Sequence, residues 1–230
     1  MKSPAAYLFV LAVSVFSLLM LQTSCKSQQT KTDRTAQNEA QKSVKPVEVP
    51  MKDGLARAYF ASGCFWCVEA IYESVRGVEE SISGYSGGHT KNPTYESSNR
   101  GDTGHAEAVE IIYDPKVVSF SQLVDVYFGS QNVTQVNGQG PDNGSQYRSI
   151  IFYQNDEQKR IIDEKVAAIN KSLGSGREVA AEVLPFQKFW KGEAYHQDYE
   201  KRNPNNGYVR AVSIPRLKKF QKKFPELLKE

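Results

Sequence analysis

Apolar and polar positions along this chain recur at two periods, and the change from one to the other marks its elements. Ala58 to Ser62 is a short, nearly continuous apolar run that predicts a buried strand. From Cys64 to Val75 the apolar residues Phe65, Val68, Ile71, Tyr72 and Val75 move to three- and four-residue steps, the spacing of one helix face. Gly77 ends that helix, and Val78 to Gly84 predicts a second strand. Glu107 to Tyr113 alternates as a third strand and closes on the turn signal Asp114-Pro115. Ser119 is placed to cap a helix through Gln122, Leu123, Val126, Tyr127 and Phe128. A fourth strand, Ser149 to Tyr153, precedes a helix capped by Asn155 or Asp156, with Ile161, Ile162, Val166 and Ile169 as its apolar stripe. Val179 to Leu184 predicts one more strand. Pro215 opens a basic last helix with Leu217, Phe220 and Leu227 inward and its lysines in water. The order strand–helix–strand–strand–helix–strand predicts an α+β fold with a ferredoxin-like βαββαβ core, a two-layer sandwich carrying long loops and a C-terminal helical extension.

Between these elements lie stretches without periodicity. Tyr85 to Gly104 is rich in Gly, Asn, Thr and Ser, and an irregular loop of about 20 residues inside one domain is uncommon and often functional. Ser130 to Gln146 is a second polar loop, and Phe186 to Tyr199 is an irregular aromatic stretch.

The N-terminal pattern is of another kind. Lys2 precedes an apolar run from Ala5 to Leu21, broken only by Ser14 and Ser17, and small polar residues then lead to Cys25. A membrane-spanning helix needs about 20 apolar residues with different flanks, so the run reads as a secretory signal. Cys25 after Thr23-Ser24 resembles the lipidated cysteine of a bacterial lipoprotein signal, although Gln22 stands where such signals carry an aliphatic residue. Residues 1–25 are therefore expected to be removed or lipidated. Residues 26–54, polar and almost without aliphatic side chains, read as a flexible tether reaching about 30 Å. An exported lipoprotein is expected, anchored to a membrane through Cys25 and facing the periplasm or the cell exterior.

Residues 55–230 are left for one domain with a core of its own. A net charge of +3 gives no reason to expect nucleic acid as a partner. Of three cysteines, Cys25 falls in the signal, which leaves Cys64 and Cys67, too few for a disulfide scaffold. They stand in Gly63-Cys64-Phe65-Trp66-Cys67, where a strand passes into a helix. Unpaired N–H groups at a helix start favour a thiolate. Three-residue spacing on one turn keeps two sulfurs within bridging distance. A nucleophilic sulfur, a second sulfur able to resolve its oxidised form, and two aromatics between them point to redox chemistry.

Other runs share this over-specified look. They are Gly84-Tyr85-Ser86-Gly87-Gly88-His89 with Asn92-Pro93-Thr94-Tyr95, Thr103-Gly104-His105-Ala106-Glu107, and Asn137-Gly138-Gln139-Gly140-Pro141-Asp142 with Gln146-Tyr147-Arg148-Ser149. With Gly63-Cys64-Phe65-Trp66 and the later Tyr195-His196-Gln197-Asp198-Tyr199, their order from Arg57 to the C-terminus resembles the A-type peptide methionine sulfoxide reductases. The resemblance implies Cys64 as nucleophile, Phe65 and Trp66 as the apolar pocket for the S-methyl group, and Glu107 as the acid for the sulfoxide oxygen. It further implies Tyr95 and Tyr147 as the hydroxyls that hold that oxygen, and Asp142 as a polar group ordering the site and its water. The chain departs from many members in having no cysteine beyond Cys67. It looks like the subgroup with the second cysteine inside the first motif, which puts Cys67 in the resolving role. Further implications are the S epimer of methionine sulfoxide as substrate, protein-bound or free, no bound cofactor, and a thioredoxin or thioredoxin-like dithiol as reductant; a monomer is expected besides.

The chemistry of these residues agrees. A sulfoxide sulfur becomes electrophilic when its oxygen is protonated, and a desolvated carboxyl can supply the proton. Thiolate attack leaves a sulfenic acid, and a second thiol converts that to a disulfide reducible by exchange. Each residue also has a plainer reading. Phe65 and Trp66 can be core, and Tyr95 and Tyr147 are two of twelve tyrosines. Glu107 can end a strand at the surface, and Asp142 suits a turn. His89 and His105 suit backbone contacts in Gly-rich turns, and Arg148 suits an ion pair. Two rival functions remain open. One is a general thiol–disulfide oxidoreductase. The other is a zinc module built on Cys64, Cys67, His89 and His105, whose histidines stand sixteen residues apart where zinc sites use three to five.

Overall fold

Residues 43–230 are described by a computed structural model; the expected signal segment, Cys25 and the tether as far as residue 42 lie outside the described residues. The chain from Lys45 onward forms one unit. It contains β1 (Ala56–Ala61), α1 (Phe65–Glu73), β2 (Val78–Ser86), the short α2 (Tyr95–Asn99), β3 (Ala106–Tyr113) and α3 (Phe120–Gly129). Then come the two-residue strands β4 (Gly138–Gln139) and β5 (Asp142–Asn143), β6 (Ile150–Tyr153), α4 (Asp156–Leu173), β7 (Glu182–Pro185), β8 (Phe189–Lys191), α5 (Tyr199–Arg202) and α6 (Ile214–Lys223).

The main sheet has the order β7-β6-β1-β3-β2-β8. Its central four strands, β6-β1-β3-β2, are antiparallel throughout, and with α1 and α3 they form the ferredoxin-like βαββαβ core. Two additions widen it. β7 joins parallel to β6 after the crossover helix α4, and β8 joins antiparallel to β2.

Strand alternation divides the core in two. Ala58 and Phe60, Val109 and Ile111, and Ile151 and Tyr153 face the helices, where Val68, Ile71, Tyr72, Leu123, Tyr127 and Phe220 meet them. Tyr59 and Ala61, Ala106 and Ala108, and Ile150 and Phe152 point to the other face, covered by Leu184 and Phe186. No methionine contributes to either cluster. The sequence holds Met1, Met20 and Met51, and Met51 is 57% exposed.

Residues 45–54, expected to belong to the tether, lie against this second face. Val47 N–H donates to Phe186 O at 2.8 Å, Val49 N–H donates to Gln154 Oε1 at 2.9 Å, and Val49 packs on the cluster. The body therefore starts at Lys45 instead of residue 55, because backbone hydrogen bonds fix a segment whose side chains alone would not. Among the described residues no helix is long and apolar enough to cross a membrane.

Candidate active site

The site forms where β1 gives way to α1. Gly63 turns the chain with φ +77°, and a Cβ there would stand 2.6 Å from Gln139 Cβ, so the turn needs glycine. Cys64 occupies the N-cap of α1 and Cys67 its first turn. Both thiols are free and buried, with 6% and 1% exposure.

Beneath this helix start lies β3. Its alternation sends Val109, Ile111 and Tyr113 to the helix layer, and the same alternation carries Glu107 there. The first N–H groups of a helix lack partners within it. Phe65 N–H, one of these, donates to Glu107 Oε2 at 3.0 Å, the only hydrogen bond this carboxyl makes among the described residues. Burial pushes the Glu107 carboxyl up to about 8, against the pull of that N–H, so at neutral pH it holds a proton.

Tyr95 and Tyr147 both stand within the field of Glu107 and Cys64. Burial first, and then the Glu107 charge, raise each phenol above its ordinary value. Each therefore keeps its O–H as a donor. An aromatic wall encloses the space. Phe65 has Tyr85 at 5.8 Å, Tyr95 at 6.4 Å and His196 at 4.7 Å between ring centres, and Trp66 stacks on Tyr199 at 3.7 Å. Trp66 Nε1–H donates to His196 Nδ1 at 3.1 Å, which fixes the ring and leaves the proton of neutral His196 on Nε2. Glu193 ties two sides of the wall together, accepting from Tyr85 O–H at 2.8 Å and from Tyr95 N–H at 2.9 Å.

Cys67 has partners of its own. Its sulfur is 3.0 Å from Ser213 Oγ and 3.8 Å from Tyr208 OH, and Tyr208 O–H donates to Asp142 Oδ2 at 2.6 Å. Asp142 thus acts on the sulfur side through Tyr208. The two thiols share charge unevenly. Burial, the neighbouring Cys67 and Glu107 raise the Cys64 thiol. A hydrogen bond from Cys64, with Arg216, Ser213 and Tyr208, lowers the Cys67 thiol against its burial. The helix start alone predicts a thiolate at Cys64. In the reduced site Cys67 is therefore the more acidic of the two thiols, because burial weighs on Cys64 while the hydrogen bond from Cys64 favours a charge on Cys67.

Every sequence-predicted residue within the described range gathers here: Cys64, Phe65, Trp66, Cys67, Tyr95, Glu107, Asp142 and Tyr147. His105 and Arg148 hold loops around the site. His105 Nδ1 accepts from Gly88 N–H at 3.2 Å, and Arg148 pairs with Glu182 at 3.3 Å while donating to Gly104 O at 3.0 Å. No group of three metal-ligating side chains is arranged to hold an ion among the described residues. Sequence reasoning missed Tyr208, Ser213, Arg216 and Glu193. None of them sits in a run with a motif, and only His196 and Tyr199 carried that signal.

The chain matches the peptide methionine sulfoxide reductase family over residues 56–228. It is 45% identical over 173 residues to peptide methionine sulfoxide reductase MsrA of Pasteurella multocida, covering 75% of this chain and 98% of that protein. MsrA of Saccharolobus solfataricus is 43% identical over 172 residues, covering 75% and 96%. Among solved structures, methionine sulfoxide reductase A of Corynebacterium diphtheriae is similar with a TM-score of 0.60 at 30% identity, over 70% of this chain and 83% of that one. Reduced Mxr1 of Saccharomyces cerevisiae gives 0.59 at 29% identity, over 71% and 93%. A match spanning nearly the whole folded body, with a protonated carboxyl set under a buried thiol, places this chain in the family of the peptide methionine sulfoxide reductases.

Proposed function

We propose that this chain reduces methionine-(S)-sulfoxide, in oxidised proteins and as the free amino acid, by a Cys64–Cys67 cycle that a thioredoxin-like dithiol regenerates. The observation that carries the reading is the Glu107 carboxyl, protonated by burial and held to Phe65 N–H at 3.0 Å, one residue from the nucleophile.

The S-methyl group lies against Phe65 and Trp66, and the sulfoxide oxygen meets Glu107, Tyr95 and Tyr147. The Cys64 sulfur, passing its proton to the Cys67 thiolate, attacks the sulfoxide sulfur. As the bond from Cys64 to the substrate sulfur forms, Glu107 delivers a proton to the oxygen and the S–O bond breaks, releasing hydroxide. That hydroxide adds to the Cys64 sulfur and breaks its bond to the substrate sulfur, so Cys64 becomes a sulfenic acid and methionine leaves as the thioether. Phenolic donors stabilise the oxygen while charge develops on it. Cys67 then displaces hydroxide from the Cys64 sulfenic acid, forming the disulfide, and exchange with an external dithiol restores both thiols.

Lys2, the apolar run to Leu21, and Cys25 after small residues support a lipoprotein-type signal. On that reading the enzyme is exported and membrane-anchored, facing the periplasm or the cell exterior, and its reductant is a thioredoxin-like protein of that compartment.

A single-turnover assay tests the cycle. The reduced chain is given racemic methionine sulfoxide without reductant, and the states of Cys64 and Cys67 are read by alkylation and peptide mass. About one methionine per chain from the S epimer, with both thiols consumed, is the expected outcome. No methionine with both thiols intact overturns it.

A further inference from the structure

The last helix meets the active site at one place, and that contact has a specific chemistry. Tyr208 precedes a single π-helical turn, Val209–Ser213, which runs directly into α6. Isolated π turns are uncommon and concentrate at functional sites. The widened turn brings Tyr208 and Ser213 to the same sulfur, that of Cys67, at 3.8 and 3.0 Å. Arg216 follows Ser213 by three residues, which is the same face of the helix one turn on.

Arg216 is fixed tightly for a residue near the end of a chain. Its Nη1 donates to Ser62 O at 2.9 Å, Nη2 to Ser62 Oγ at 2.8 Å, and Nε to Ser130 O at 3.0 Å. Its guanidinium thus reaches the turn before Cys64, and a Cβ on Gly63 would lie 3.5 Å from Nη1. All three acceptors are uncharged, and no carboxylate pairs with Arg216 among the described residues. A guanidinium held this way, partly buried and unneutralised, projects its positive charge into the site. The charge bears on Cys67 and Asp142. Other titratable groups facing Cys67 are Cys64, Glu107, Glu200 and Tyr208. The two carboxyls are raised by their own burial, to about 8 and about 7, and among the described residues Arg216 is the cation whose charge bears on this sulfur.

We propose that Arg216, with Ser213, is a positioning residue for the second half of the cycle, holding the Cys67 sulfur ionised and aimed at the oxidised Cys64. The inference rests on the reading that Cys67 resolves Cys64. In the step concerned, the Cys67 thiolate gives its electron pair to the Cys64 sulfenic sulfur. The S–S bond forms and the S–O bond breaks, and the departing hydroxide takes a proton to leave as water. Arg216 touches neither the substrate nor the oxygen. It sets how much thiolate is present and where.

The test compares Arg216→Gln, Arg216→Lys and Ser213→Ala in the full chain, following methionine release and the loss of the Cys67 thiol separately after one turnover. In Arg216→Gln the second step is expected to slow about tenfold relative to the first at neutral pH, since a lost opposite charge raises a thiol by one or more units. The pH midpoint of that step moves upward. Arg216→Lys keeps the charge without the three-point hydrogen bonding and holds the midpoint close to the parent's. Ser213→Ala shifts it in the same direction as Arg216→Gln. A parallel titration of the Cys67 thiolate by ultraviolet absorbance in a Cys64→Ser background reads the same midpoint without any turnover, so it stands even if methionine release fails. An unmoved midpoint in Arg216→Gln overturns the proposal. Equal upward movement in Arg216→Gln and Arg216→Lys overturns it too, since the role would then be to pin Ser62.

Discussion

Glu107 owes its chemistry to its place on a strand. A glutamate at the exposed end of β3 would ionise at its ordinary value; the same residue inside the helix layer keeps its proton up to about 8. Glu107→Gln keeps the shape and the contact with Phe65 N–H but cannot deliver a proton. Methionine release in one turnover should fall by a factor of about 100 to 10,000, the range typical of a lost general acid, with the thermal midpoint close to the parent's. Near-parental release would remove Glu107 from the reaction. In the parent enzyme the same step should weaken as pH rises through about 8, where Glu107 loses its proton; a rate that keeps climbing past that point would contradict the assignment. Cys67→Ser should release up to one methionine per chain and then stop, because a dithiol finds no Cys64–Cys67 disulfide to reduce. The motifs made these residues legible, since each carries a reactive group in an unusual local run. The Cys67 partners were not legible. Tyr208, Ser213 and Arg216 are ordinary residues of a C-terminal helical segment, and only the fold brings them to the sulfur.

At the level of elements, periodicity identified every strand and helix of the ferredoxin-like core, with ends shifted by a few residues. Helix α1 was expected from Cys64 to Val75 and spans Phe65–Glu73. Caps explain the well-placed starts. Ser119 and Gln122 form a capping box at α3, and Asn155 accepts from Gln158 N–H at 3.0 Å at α4, whose first turn also carries Asp156 and Glu157. Asn155→Ala should cost about 1 kcal/mol in denaturant unfolding, and no loss would mean that the cap is replaced by water or a neighbour. What periodicity missed were elements made by tertiary contact. β8 is three residues long and exists because Ser86, Tyr85 and Gly84 offer it a sheet edge. The expected strand Val179 to Leu184 begins only at Glu182, where its pairing with β6 starts. The π turn has no sequence signature of its own.

Across the whole molecule, several buried carboxyls leave a mark on stability. Burial raises Glu69 and Glu200 to about 7 and Glu107 to about 8, from an ordinary 4.5. The folded chain therefore binds these protons more tightly than the unfolded chain does. The stability they confer is complete below pH 4.5 and is lost as pH rises through 7 to 8. Thermal midpoints should fall across that window, and Glu69→Gln should flatten part of the slope; a midpoint that rises from pH 4.5 to 8 would show other groups in control. The unit also begins earlier than composition suggests, at Lys45, because hydrogen bonds to Phe186 O and Gln154 Oε1 recruit a polar segment. Charge and hydropathy alone could not show that. The two cores described above contain no methionine, and the one sulfur ether carried by the body, Met51, stands out in water. Oxidation turns a buried thioether into a swollen polar group and spoils the packing around it. A workshop that mends such damage must stand in the same corrosive air as its clients, and this one is framed in materials that do not rust in that way.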